Sequence, residues 1–390
     1  MQEGPYFDEL AVGQEFGGAP GITLTSGLAA AHQAITGDRL ALATDHDLCR
    51  RVTGGGPLAS PSLVWDVAIG QSTVVTQHVK ANLFYRGLAF RRAPRLGDTL
   101  RTSTQVVALK QNQPREGRAP TGLAVLRITT VDQQRRPVLD FWRCAMLPLR
   151  DEDRQTGHAG DLASVGQPID DPAALVSGWR LAEFAGQAAG PRLAELRAEL
   201  RAGRRWAVPG GDVVSSAPDL ARLTLNIAMA HHDAQAAGGQ RLVYGGHTVG
   251  LALAQAARSL PSLVTVAAWH GCDHLGPVYE GDTLRSTILV EQVDPLPAGA
   301  LVHLRSRVRA EAPGRDGGAL SPSGLGWPGE GAGTGAAGGR DRHEGSAPRD
   351  VLDWRYIAVV ALREGQSPPR TWSSRRTRWP DWTPSVGNRS

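Results

Sequence analysis

The residues 223–234 read LTLNIAMAHHDA, with Asn226, His231, His232 and Asp233 close together. An imidazole beside an amide and a carboxylate could bind a metal or move protons. It could also be the polar edge of a buried helix. For proton transfer, histidine is suited by an ordinary pKa near neutral pH, and asparagine can hold a water by its donor and acceptor groups but cannot act as a base. On a helix His232 would point roughly 100° away from His231, which makes it a neighbour and not a second ligand. Asp233 could orient His231 or merely cap a helix end.

A second group, His270, Cys272 and His274, alternates as on one face of a strand. Three such ligands could hold zinc. Yet zinc usually draws on more than one element, and neither CxxC nor HExxH is present. The expectation is no metal and no nucleophilic role for Cys272.

The elements that must position these groups occur twice. GDTLR stands at 97–101 and again at 281–285, 184 positions apart, followed each time by a strand pattern. Upstream of each copy lies an apolar helix led by glycines: PSLVWDVAIGQ at 61–71 after Gly54–Gly56, and TVGLALAQAAR at 248–258 after Gly245 and Gly246. Further upstream are amphipathic helices at 27–36 and 217–229. A repeat of this length means duplicated domains, each a long helix against antiparallel strands, in an α+β layer arrangement.

The expected organisation is an N-terminal copy over 1–150, a linker with a charged helix over 151–206, and a C-terminal copy over 207–362. The last copy carries a Gly-rich insertion at 313–349 whose composition predicts disorder. An Arg- and Trp-rich tail at 363–390 predicts the same. VLDWRYIAVVAL at 351–362 mirrors PVLDFWRCAMLPL at 137–149 and reads as the last strand.

Forty-two basic against thirty-eight acidic residues give a net charge of +4, without a concentrated nucleic-acid footprint outside the tail. Three cysteines argue against a disulfide framework. Neither a signal peptide nor a run of about 18 apolar residues is present. A cytoplasmic protein with neither nucleic-acid nor membrane partners is expected, as a monomer or homodimer.

YFDELAVGQEF, a helix ending in TGD, a Gly-led helix and GDTL before strands together resemble the hot-dog fold of MaoC-like enoyl-CoA hydratases, here as a double hot-dog. ITGDRLALATD, NLFYRGLAFRRAPRLGDTL, LVYGGH and VLDWRY resemble the mesaconyl-CoA hydratase (β-methylmalyl-CoA dehydratase) branch. The family motif has the form GDxNPLH, an aspartate with a histidine five positions later. The first copy keeps Gly37 and Asp38 but has Ala43 in the histidine's place, with His46 three positions too late. In the second copy Asn226 takes the aspartate's place and His231 that of the histidine.

The resemblance implies a hydro-lyase for a short branched or dicarboxylic enoyl-CoA. His231 would be the acid/base and Asn226 the holder of water, with Asp233 in support. The Gly246 backbone N–H would donate to the thioester oxygen, with Gly245 beside it against the substrate. Arg86, Arg91 and Arg92 are candidates for CoA phosphates or a substrate carboxylate, or else solvated strand ends. No cofactor is implied, because the CoA thioester is itself the substrate. The alternatives are a hot-dog thioesterase and a non-catalytic acyl-CoA-binding protein.

Overall fold

The computed structural model describes residues 3–162, 165, 166, 168–187, 200–313 and 347–362. Most of the expected charged helix, the bulk of the Gly-rich insertion and the whole of 363–390 lie outside the described residues.

The first copy supplies helices α1 (Ser26–Thr36), α2 (Ala41–Thr44), α3 (His46–Thr53) and α4 (Pro61–Gln71). Its strands are β1 (Glu15–Phe16), β2 (Ile22–Thr23), β3 (Ala81–Phe90), β4 (Thr99–Gln111), β5 (Thr121–Val131) and β6 (Pro137–Pro148). In the linker lies α5 (Leu181–Gln187). The second copy supplies β7 (Arg205–Ala207), β8 (Asp212–Val213), α6 (Ala217–Leu223) and α7 (Gly245–Ser259). It closes with β9 (Leu263–His274), β10 (Thr283–Leu296), β11 (Gly299–Glu311) and β12 (Arg349–Ala361).

All long strands are antiparallel and form one sheet in the order β1-β4-β5-β6-β3-β9-β12-β11-β10-β7. The halves join where β3 pairs β9, with Tyr85 opposite Cys272 and Arg86 opposite Gly271. Each half-sheet wraps its own central helix. Helix α4 is buried along its whole length, so its all-round apolar sequence is what its surroundings require. Ser60 caps it, accepting from the Ser62 N–H, and Pro61 opens its first turn.

Trp65 on α4 reaches across the join. Its ring meets Trp269 on β9 edge-on at 4.8 Å and lies 6.0 Å from Trp354 on β12. These large fully buried rings lock one half to the other.

The repeat is visible in hydrogen bonds. Gln71 Nε2 donates to the Leu100 carbonyl at 3.1 Å, and Gln255 Nε2 to the Leu284 carbonyl at 2.9 Å. In both copies the glutamine near the end of the central helix holds the leucine of GDTLR. The glycine of that pentapeptide has φ +98° at Gly97 and +93° at Gly281, a conformation that penalises any side chain.

Candidate active site

Helix α6 ends at Leu223, short of the 217–229 expected from the sequence. Leu225 takes a left-handed conformation with φ +60°, where the first copy has Gly37 at φ +67°. A continued helix is impossible there, so Asn226 begins a loop and only Met229–His231 forms a short 3-10 turn. The angular argument about His232 therefore does not apply. His232 Nε2 donates to the Asn226 carbonyl at 2.6 Å and closes the loop on itself.

The two copies correspond residue by residue here. Asn226 Oδ1 accepts from the Ala228 N–H at 3.0 Å, as Asp38 Oδ1 accepts from the Leu40 N–H at 3.0 Å. Thr224 and Thr36 both return their hydroxyls to the carbonyl four residues back. This register aligns His231 with Ala43.

The loop is fastened to the first half of the chain. The Ile227 N–H donates to Thr73 Oγ1 at 2.9 Å, and the Met229 N–H to the Gln77 carbonyl at 2.9 Å. Gly70 of α4 abuts Thr224 so closely that an added Cβ would stand 1.9 Å from the Thr224 carbonyl oxygen. Neither half alone would hold Asn226 where it is.

A cavity of about 450 Å³ opens between the halves. Asn226, His231, Tyr244, Gly245 and His274 line it from the second copy, and Thr73, Tyr85 and Arg143 from the first. His231 Nδ1 lies 2.9 Å from the Leu242 carbonyl. A carbonyl only accepts, so Nδ1 carries the proton and Nε2 presents a lone pair. Burial pushes the His231 pKa down to about 4, opposed in part by the bond to Leu242, so the ring is neutral at pH 7. Asn226 is 2 % exposed and its Nδ2 has no partner. Its Oδ1 already accepts from the Ala228 N–H, so the unpartnered Nδ2 is the half of the amide left to bind a water.

The orienting place that Asp233 was expected to fill belongs to the Leu242 carbonyl. Asp233 instead accepts from the Gln235 N–H at 2.8 Å in a local turn. Gly245 and Gly246 form the first turn of α7, whose N–H groups lack intrahelical partners and lie at the positive end of its dipole. Gly245 lines the cavity, and an added Cβ there would meet the His274 ring at 2.8 Å. Gly246 faces the protein: an added Cβ would meet Asp66 Oδ1 at 1.9 Å. Asp66 is fully buried and bonded to His32 Nε2 at 2.9 Å, and burial raises its pKa.

The arginines expected at the substrate are elsewhere. Arg86 pairs with Asp273 at 2.6 Å, Arg92 pairs with Asp132, and Arg91 is exposed; none lines the cavity. The sequence reading missed Arg143 and Tyr244, and treated His274 only as part of a metal group. That group is dispersed. His270 bonds His303 at 2.9 Å, Cys272 lies in the core, and His274 faces the cavity. Among the described residues no cluster of metal-ligating side chains forms.

In the first copy Leu42 and Leu58 pack with Val264 and Ala267 of β9 and with Val176, Leu181 and Phe184 of the linker in one buried apolar cluster. Asp38 is turned to structure, accepting from the Ser60 and Ser62 hydroxyls at the start of α4.

No family model matches the chain. A solved double hot-dog protein of Mycobacterium tuberculosis, described as conserved, hypothetical and essential for survival during infection, is 49 % identical. The match covers 92 % of this chain and 98 % of that one, with a TM-score of 0.77. The chain belongs to the same double hot-dog family as that protein. Two curated relatives at lower identity are a dehydratase and a hydratase. The β-methylmalyl-CoA dehydratase of Chloroflexus aurantiacus is 26 % identical over 75 % of this chain and 84 % of its own. The mesaconyl-CoA hydratase of Cereibacter sphaeroides is 25 % identical over 73 % of this chain and 82 % of its own. No described helix of this double hot-dog is long and apolar enough to cross a membrane.

Proposed function

We propose that the protein is a hydro-lyase that adds water to a short enoyl-CoA, or removes it from the 3-hydroxyacyl-CoA. The observation that carries this is the pairing, in one cavity, of a neutral His231 with a free Nε2 and an Asn226 with a free Nδ2. The names of the curated relatives support the same chemistry.

In the hydration direction a water accepts from Asn226 Nδ2–H and donates to His231 Nε2. His231 takes that proton as the oxygen attacks the β-carbon. The electron pair moves through the α-carbon onto the thioester oxygen, where the first-turn N–H of Gly245, which lines the cavity, opposes the developing charge. The imidazolium then returns a proton to the α-carbon, so His231 ends as it began. The reaction so written uses no cofactor.

One chain supplies both walls of the cavity, so a monomer holds a whole site and a homodimer would hold two. A cytoplasmic setting agrees with three buried cysteines outside any disulfide.

The test is a panel of crotonyl-, mesaconyl- and itaconyl-CoA, followed by chromatography together with a thiol reagent for released CoA. Formation of a 3-hydroxyacyl-CoA with the thioester intact is expected. Release of free CoA would mark a thioesterase, and tight binding without turnover a carrier; either overturns the proposal.

A further inference from the structure

Arg143 on β6 is 3 % exposed, yet it has no ionic partner among the described residues. Its Nη2 donates to the Ser72 carbonyl at 3.1 Å and to Thr76 Oγ1 at 2.8 Å, both neutral, and its Nε has no partner. Other sheet arginines are treated differently. Arg86, Arg127, Arg305 and Arg355 each have a carboxylate within ion-pair distance. A buried cation without a counter-charge is costly, and its cost is offset most directly by a ligand that brings the missing anion. Arg143 lines the cavity that holds His231, and the Tyr85 hydroxyl interacts with its guanidinium.

We propose that Arg143, with Tyr85 beside it, anchors a free carboxylate on the acyl group, which makes the substrate a short dicarboxylic enoyl-CoA. This rests on the hydro-lyase reading of the same cavity. Much of the remaining wall is apolar, with Ile69, Val79, Leu83, Val243 and Val278; two cations line the cavity, Lys80, which is exposed to solvent, and Arg143, which is buried and would hold a carboxylate away from water. Guanidinium and carboxylate match in shape as well as charge. The anchor would fix the far end of a short acyl chain while His231 addresses the double bond.

The experiment compares mesaconyl-CoA with tigloyl-CoA, whose acyl group carries a methyl where mesaconyl-CoA carries its distal carboxylate. Values of kcat/KM are measured for the wild type, Arg143→Gln and Arg143→Lys. Dissociation constants for both esters are measured in a His231→Ala background, where turnover does not interfere. The wild type should favour mesaconyl-CoA by about 10- to 100-fold, the range of a charged hydrogen-bonded pair. Arg143→Gln should lower kcat/KM for mesaconyl-CoA by about 10- to 100-fold more than for tigloyl-CoA, and Arg143→Lys should fall between.

Equal handling of the two esters by the wild type, or equal losses on both in Arg143→Gln, would overturn the anchor. Should Arg143→Gln fail to fold, the wild-type comparison decides alone. A binding preference without hydration of either ester would keep the anchor and remove the hydro-lyase reading. Hydration without preference would do the reverse.

Discussion

Gly70→Ala places a single methyl group at the contact between the halves. Two effects oppose each other. Gly70 lies inside α4, where alanine is favoured over glycine by about 1 kcal/mol. Against this, the new Cβ would stand 1.9 Å from the Thr224 oxygen, 2.8 Å from its carbonyl carbon and 3.2 Å from the Asn226 nitrogen. These are backbone atoms and cannot rotate aside. An ordinary carbon–oxygen contact is about 3.3 Å, so the loop must retreat by about 1.4 Å. Overpacking of this kind costs about 1–3 kcal/mol, so the net effect is destabilising by up to about 2 kcal/mol. The melting temperature should fall by a few degrees.

Activity should suffer more. The displaced segment carries Asn226, and a misplacement of about 1 Å can cost ~100-fold in rate. The counterpart of Gly70 in the second copy is Ala254, which faces Gly37 without conflict, so the repeat itself tolerates a methyl there. The measurements are a thermal melt and kcat on whichever enoyl-CoA of the panel is turned over. A Gly70→Ala protein that melts higher and keeps full kcat would refute the claim that the first half positions the second half's loop.

Other outcomes follow from the same geometry. Asp38→Ala leaves the Ser60 and Ser62 hydroxyls and the Leu40 N–H without their acceptor, which should lower stability by about 1–3 kcal/mol in urea melts. Its kcat should stay within about threefold of wild type, because the first motif is structural. Gly246→Ala must displace Asp66 or the start of α7, and should lower kcat with a smaller effect on KM. Burial holds His231, His247 and His274 at about 4 in the folded protein. Their unfolded value is about 6.5, so the unfolded chain takes up protons first as pH falls. Stability should be full above about pH 6.5 and decline steadily towards pH 4 in urea melts across that window. A flat profile between pH 7 and 4.5 would contradict the burial of these rings.

The duplicated fold was legible because GDTLR, its flanking strands and the Gly-led helices recur in the same order. The five-residue spacing from Asn226 to His231 was legible too, and both residues line one cavity. The local conformation was not. Leucine carries no propensity for the left-handed turn that ends α6 at Leu225, so the helix was read too far. Between a substrate contact and a solvated strand end the sequence could not choose for Arg86, because a strand's alternation says which residues share a face but not which face meets the cavity. Arg143 carries no sequence signal at all. What distinguishes it is the lack of a carboxylate around a buried guanidinium, and that is a property of the packed sheet. The packing of the linker on the first copy was equally hidden, since Leu181 and Phe184 join its buried cluster from far along the chain.

The central claim is that His231 moves the proton in a reaction that adds water to an enoyl thioester. The direct measurement is incubation of wild type and His231→Ala with mesaconyl-CoA and crotonyl-CoA in water labelled with oxygen-18, read by mass spectrometry of the intact CoA esters. The account expects the wild type to place one labelled oxygen on the acyl chain of at least one ester with the thioester intact. His231→Ala should do so at least ~100-fold more slowly while melting as a folded protein. Labelled oxygen appearing only in a free acid released from CoA, or full labelling activity in His231→Ala, would contradict it.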